Sequence, residues 1–496
     1  VAVNALLALP VGLPIAGAAV ALLCWRHRAA QRVVSTTVLA AVTGVALVLL
    51  REVETGGPAA TQMGGLEAPL GITLVADLFS ALMLVFASVT VLVVLVYAVG
   101  QRGTDTHGGV FHPVYLLLAA GVSLAVLTGD LFNLFVAVEV MLASSYVLIT
   151  LGASREQVRS GMTYVVVNLL ASTLLLVSIG LIYAATGTVN LADLSVKLQE
   201  IPDGLRLAFA LTFLVVLGVK AAIFPLFFWL PDAYPTAPTP VTAVFAGLLT
   251  KVGVYLLIRV ETLLFRPSFP GPSTLILTVA GITMLVGVLG AIAQNDIKRI
   301  LSFHIVSQIG YMILGLGLFS LAGIAGAVFF VLNQIVVKTS LFLVCGLVEH
   351  ATGTGSLARV SGLARRSPML AVLFLLPALS LAGVPPLGGF VPKLALVEAG
   401  FALDRWVVVA AGLAASLLTL FSMTKIWTGA FWGAPEPVPA AGTGLRLPRV
   451  MVGATAVLVA ATLAVAVAAR PLYDLSERAA AELLHPSGYV GEVLSR

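Results

Sequence analysis

Charge is what this chain has least of. Of its 496 residues only 10% are Asp, Glu, Lys or Arg, while 60% are hydrophobic and the mean hydropathy is +1.09. A soluble domain carries about 25% charged residues, because its surface must stay wet, so this composition excludes an ordinary water-soluble globule. Cysteine is almost missing. Cys24 and Cys345 lie far apart in apolar runs, without metal or redox spacing, and read as small apolar fillers. No glycine-rich loop ends in Gly-Lys-Ser/Thr, so nothing points to ATP use. The sequence reads as neither an enzyme nor a metal or cofactor protein. Its net charge of +5 does not indicate nucleic acid, since many arginines sit in short loops between apolar runs.

What is present is apolar length. A helix needs about 20 apolar residues to cross the hydrocarbon core, and about fourteen runs meet that need. They cover 3–24, 33–50, 74–99, 113–129, 131–151, 160–186, 205–228, 240–263, 273–293, 299–318, 320–349, 367–397, 403–431 and 449–469. The first run lacks a basic leader and reads as a retained span. The predicted fold is an all-α polytopic membrane protein embedded in lipid. The tail from Pro471 to Arg496 carries Tyr473, Leu475, Ala479, Leu483 and Leu484 at partly helical spacing among charges, which predicts a short helix on the membrane surface or against a partner.

Basic residues set orientation. Arg26, Arg28 and Arg32 follow span 1, Arg155 and Arg159 follow span 5, Lys298 and Arg299 follow span 9, and Arg359, Arg365 and Arg366 follow span 11. These loops share one side. The loop after span 6 has Asp193, Glu200 and Asp203 against Lys197. Both termini are therefore expected outside the cytoplasm.

Two long runs are interrupted. One break runs from Phe224-Pro225 through Pro231, Pro235, Pro238 and Pro240; the other is Gly383-Val-Pro-Pro-Leu-Gly-Gly389. Proline removes a backbone donor and clashes with the turn before it. Irregular backbone at membrane depth survives only inside protein or beside a wet cavity. The breaks lie five spans apart, which suggests an internal repeat. Lys220 precedes the first and Lys393 follows the second, and Thr250-Lys251 is echoed by Thr424-Lys425.

Ionisable residues inside these runs need a reason, since a charge at the bilayer centre costs at least about 2.5–3.5 kcal/mol. Glu139 lies in span 5, Lys220 in span 7, Lys251 in span 8, His304 in span 10, Lys338 in span 11 and Lys393 in span 12. Ser307, Gln308 and Tyr311 share a helical face with His304, and Gln334 stands one turn before Lys338. Opposite charges can form structural pairs, but one acid does not neutralise several lysines. A hydrated row of exchangeable sites explains the excess. Buried lysines release protons more readily than solvated ones, which suits a proton relay.

Other polar residues read as structural. Asp130 and Asp77 fit helix N-caps. Asp232 either caps the start of span 8 or pairs with a basic loop. Glu349-His350 is expected in water at a span end. Asn168, Asn333 and Ser144 fit interhelical hydrogen bonds.

The run Lys220-Ala-Ala-Ile-Phe-Pro-Leu-Phe-Phe-Trp-Leu-Pro-Asp-Ala-Tyr234, with Ala237-Pro238, resembles the antiporter-like subunits of respiratory complex I, membrane hydrogenases and Mrp-type cation/proton antiporters. Within that family the chain is most similar to the D subunits of the Mrp type. Phe227-Phe228 stand where complex I subunits often carry histidine before Trp-Leu-Pro, and Leu248–Tyr255 and Ser302–Met312 resemble spans 8 and 10 of those D subunits. The resemblance spans most of the chain. It implies about fourteen transmembrane helices: spans 1–3 (residues 1–112), two inverted five-helix repeats (113–263 and 273–431), then span 14 and the tail (432–496). It implies that Glu139 is the key span 5 acid, that Lys220 pairs with it, and that Lys251, Lys338 and Lys393 continue a proton relay, with His304 at a position that varies.

The expected function is then a proton-translocating subunit of a multisubunit sodium/proton antiporter in a bacterial or archaeal cell membrane. It would work with other subunits, and the sodium site would lie in another of them. Two alternatives remain open from the sequence: a pumping subunit of complex I or a hydrogenase, and a structural subunit whose buried pairs only hold helices in register.

Overall fold

The computed structural model describes residues 2–101, 103, 105, 109–266, 270–433 and 447–495. Residues 434–446, ahead of the last span, and Arg496 of the tail lie outside them. With no water at membrane depth, backbone groups must pair within their own segment, and apolar runs therefore become helices. In chain order these are α1 (Ala2–Leu23), α2 (Arg28–Gly56), the hairpin β1 (Ala59–Met63) and β2 (Ile72–Ala76), α3 (Leu78–Gly100), α4 (Phe111–Leu127), α5 (Leu131–Ile149), α6 (Arg155–Thr186) and α7 (Leu191–Lys197). Next come α8 (Asp203–Ala221), α9 (Trp229–Ala233), α10 (Thr239–Val244), α11 (Thr250–Leu263), α12 (Pro270–Ala293), α13 (Ile297–Leu318) and α14 (Leu321–Thr352). The chain continues through α15 (Leu363–Arg366), α16 (Pro368–Ala382), α17 (Phe390–Ala402), α18 (Trp406–Ile426), α19 (Arg449–Val467), α20 (Ala469–Leu484) and α21 (Ser487–Leu494).

Among the described residues twelve helices are long and apolar enough to cross a membrane, and α4 and α16 are shorter apolar helices. The protein is an all-α polytopic membrane protein in its spans. The one departure from helix among the named elements is the antiparallel β1–β2 hairpin, paired from Ala59 with Ala76 to Met63 with Ile72.

Burial sorts the helices. The apolar window of α14 is 100% buried, whereas that of α6 is 39% buried, so α14 is the central helix and α6 turns an apolar face outward. Close approach depends on small residues. A Cβ on Gly253 of α11 would meet the backbone of Lys220 and Ala221 at 2.7–3.0 Å, which fixes α11 against the end of α8.

Both breaks fall where the prolines predict. α8 ends at Ala221, with Ala222 left-handed (φ +61), and the chain resumes helix at Trp229. α16 ends at Ala382, with Gly383 left-handed (φ +84), and α17 begins at Phe390. A second feature recurs. Thr186-Gly187-Thr188 ends α6 and Thr352-Gly353-Thr354 ends α14, each with a left-handed glycine cap. After each, the chain forms a β-bridge to an aspartate that N-caps an earlier helix: Asn190 with Asp130 of α5, and Ser356 with Asp296 of α13.

The tail departs from expectation. It folds as α20 and α21, and α20 packs on α14 and α3 of its own chain. Ser476, Ala479, Ala480 and Leu483 form its buried face, at helical spacing.

Candidate functional site

Lys338 lies on α14, and Lys251, His304 and Lys393 lie on α11, α13 and α17, which pack against it. Lys220, Lys251 and Lys393 each lie beside a backbone irregularity or helix end. Lys220 lies in the last turn of α8, before the first break. Its Nζ donates to the Asn168 carbonyl and to Ser172 Oγ of α6, both at 2.9 Å. Between α10 and α11 the chain widens into a π-turn, Phe245–Leu249, and Lys251 Nζ donates to the Ala246 carbonyl inside it. Such π-turns are often found at functional sites. Lys393, in α17 after the second break, donates to the Leu381 and Ala382 carbonyls at 3.0 and 3.1 Å. Those carbonyls end α16, and the negative pole of a helix favours a cation there.

Lys338 lies in the middle of α14 and is fully buried. Its one hydrogen bond is a long one, 3.4 Å to the Leu301 carbonyl. It stands within Coulombic reach of Lys251 and Lys393. His304 of α13 is likewise within reach of Lys338 and Lys393. Its Nε2 pairs with Ser422 Oγ at 2.9 Å, while Nδ1 has no protein partner. Tyr311, two turns further along α13, brings its ring centre to 4.8 Å from Lys393 Nζ. Ser307 Oγ donates to the Met284 carbonyl. The amides of Gln308, Gln334 and Asn333 are buried with neither polar atom bonded to protein.

Several expectations are corrected. Glu139 and Lys220 do not form an ion pair: Glu139 acts on Lys220 electrostatically, but the ammonium bonds to α6 and Glu139 Oε1 is buried without a partner. Glu349 is not simply solvated: its carboxylate pairs with Lys298 at 2.8 Å and accepts from Thr239. His350 is exposed. Ser144 and Asn168 bond within their own helices, to the Val140 and Tyr164 carbonyls, because those backbone acceptors one turn back are the nearest. Asp130 and Asp77 do cap α5 and α3. Exposed Asp232 takes the second of its two expected roles, pairing with Arg299 at 3.2 Å.

The row of buried charge read from the sequence passes over Arg259 and Glu261 of α11, both buried. Arg259 makes a two-pronged ion pair with Asp77. The signal is there to be read: Arg259 lies two turns beyond Lys251 on the same helical face.

This fold defines a many-span helical membrane protein with ionisable groups buried among its spans, from the first broken helix to the second. The comparisons with known proteins specify the class. Residues 128–419 match the membrane family of NADH:quinone oxidoreductase and Mrp antiporters. The chain is 43% identical to the D subunit of the Na(+)/H(+) antiporter of Alkalihalophilus pseudofirmus and 35% identical to that of Bacillus subtilis, in each case over 99% of both chains. It superposes on a chain of the Mrp complex from a Dietzia species with a TM-score of 0.94 at 35% identity, covering 100% of both chains. A chain of an archaeal membrane-bound sulfane sulfur reductase gives a TM-score of 0.91 at 26% identity, over 98% of this chain and 99% of that one. The chain belongs to the NADH:quinone oxidoreductase/Mrp antiporter membrane family.

Proposed function

We propose that this chain is the proton-translocating subunit of a multisubunit sodium/proton antiporter. It is a carrier rather than an enzyme, it works among other subunits, and the sodium site lies in one of them. The observation that carries this reading is the bonding of Lys251, Lys338 and Lys393. All three are buried and donate to backbone carbonyls, and among the described residues none has a carboxylate within ion-pair distance. A structural role would be served by pairing, because an unpaired buried charge destabilises. Groups that alternately hold and release a proton have no such need.

In this reading the proton enters one half-channel near Lys220 and Lys251, crosses by Lys338 and water, and reaches Lys393. Glu139 sets whether Lys220 holds its proton: an opposite charge nearby favours the ammonium, and weakening that contact favours release. His304 and Gln308 from α13, with Gln334 from α14, supply buried polar atoms that want partners, and such atoms are the usual hosts of ordered water. Ser307 holds α13 to α12 beneath them. Asp232, exposed and paired with Arg299, ties the first break to the start of α13. Moving one charge across 100 mV is worth about 2.3 kcal/mol, enough to drive exchange.

The same reading takes the chain as fourteen crossings with both termini outside the cytoplasm, in a bacterial or archaeal cell membrane. It takes residues 113–263 and 273–431 as two inverted repeats. The paired breaks and the paired Thr-Gly-Thr helix ends with their aspartate bridges support this.

The test is Glu139→Ala and Lys220→Ala in the assembled complex, followed by sodium-driven proton movement in inverted vesicles. Loss of antiport at normal subunit levels is expected; retained antiport would overturn the assignment. A complex I or hydrogenase setting is separated from this one by the subunit list of the purified complex.

A further inference from the structure

At the end of α11 away from the first break, four parts of the chain converge on Arg259. Its guanidinium holds Asp77, the N-cap of α3, through both oxygens, and also donates to Tyr255 Oη at 3.2 Å. The rings of Phe79, Tyr255 and Tyr489 surround it, with centres 6.0, 5.5 and 5.4 Å from the guanidinium carbon. Tyr489 comes from the tail helix α21 and is itself buried. Beside it, Glu482 of α20 accepts from the Leu78 amide at 3.1 Å. Tyr255 Oη in turn donates to the Val126 carbonyl of α4 at 2.7 Å.

Lys251, Tyr255 and Arg259 stand at i, i+4 and i+8 on α11, one row on one face. The row starts at a lysine of the proposed relay and ends at this closed cluster. Both side chains of the ion pair are almost inaccessible, 7% and 3% exposed, although the cluster lies at the end of the helix. A paired, ring-enclosed guanidinium leaves no site for a passing proton. It holds its own proton permanently, so it cannot pass one on.

We propose that Asp77, Arg259 and Tyr489 form the outer seal of this row, closing the first half of the relay to the extracytoplasmic side so that protons leave only through Lys393. The tail is then part of the transport device: α21 supplies the lid over the pair. These are positioning residues, and the proposal rests on the relay reading above.

The experiment uses the complete complex in sealed vesicles without sodium, with an imposed pH difference read by an internal pH dye. Asp77→Asn unpairs Arg259, and Tyr489→Ala removes the lid while keeping the pair. Each is expected to raise sodium-independent proton flux several-fold, and adding Lys251→Ala should bring the flux back to that of the unmodified complex. If both variants assemble and neither leaks, the seal is overturned while the relay stands on its own test. A leak that persists with Lys251→Ala does not run through the row, and overturns the seal as placed here. If Asp77→Asn fails to assemble, Tyr489→Ala alone decides between these outcomes.

Discussion

Lys393 Nζ lies 4.8 Å from the centre of the Tyr311 ring while donating to the two carbonyls that end α16. One helix thus supplies an aromatic face and a broken helix supplies the acceptors. Tyr311 is anchored from behind, its hydroxyl bonded to Gly412 and Ser416 of α18. A ring face holding a desolvated cation contributes about 2 kcal/mol. Tyr311→Leu is therefore expected to cut sodium-driven proton movement more than ten-fold, and Tyr311→Phe much less. Equal loss in both would show that the hydroxyl matters rather than the ring.

Lys338 should be the least replaceable of the row. It sits midway along the central helix with one long hydrogen bond. Lys338→Ala is expected to stop transport, and Lys338→Arg to retain part of it, with both variants present at normal levels. Full activity in the alanine variant would remove Lys338 from the path.

The second break depends on the absence of a side chain. A Cβ on Gly389 would fall 1.9 Å from the Ser380 carbonyl oxygen, a backbone atom that cannot step aside. Gly389→Ala is expected to displace α17 with Lys393, costing on the order of 1–3 kcal/mol. The readout is a lower melting temperature of the purified complex together with lost antiport. Gly180, with open space around its Cβ position, is the control: Gly180→Ala should change neither.

Asp77 gives a pH prediction. Burial pushes its carboxyl up, but the Arg259 guanidinium overrides this and holds it below the ordinary value. A lowered folded value means that the stabilisation is present above the unfolded pKa and disappears as pH falls through the folded one. The tail should thus stay docked at any pH above about 4. Hydrogen exchange of the α21 amides across a pH series checks this, after correction for intrinsic rates. Release near neutral pH would contradict it.

Apolar length, proline and a charge among apolar neighbours are local signals, so the apolar runs, both breaks and the ionisable residues within those runs are legible in the sequence. Lys393 is marked by its charge in an apolar run just after Pro385-Pro386. The bonding was not legible. That Lys220 reaches Asn168 and Ser172 rather than Glu139 depends on how α6 lies against α8, which no local pattern encodes. The π-turn that receives Lys251 has no clear residue signature. Arg259 was passed over because its partner, Asp77, lies far away in the chain and already read as a helix cap. The repeated Thr-Gly-Thr helix ends were there to be read, and their meaning emerged only when both proved to bridge to an aspartate cap.

The enclosure of the apolar stretch of α14 has an electrical consequence. Lys338 lies on this helix and Lys251 and Lys393 on helices packed against it, with no carboxylate among the described residues close enough to absorb their charge. Two unit charges about 10 Å apart at an effective dielectric constant of about 20 repel by about 1.7 kcal/mol. In the proposed relay a proton on the middle site would therefore disfavour protons on its neighbours, and one arriving at either end would favour release toward the other. The row would then work as a single-file queue with negative cooperativity, its direction set by whichever end is supplied.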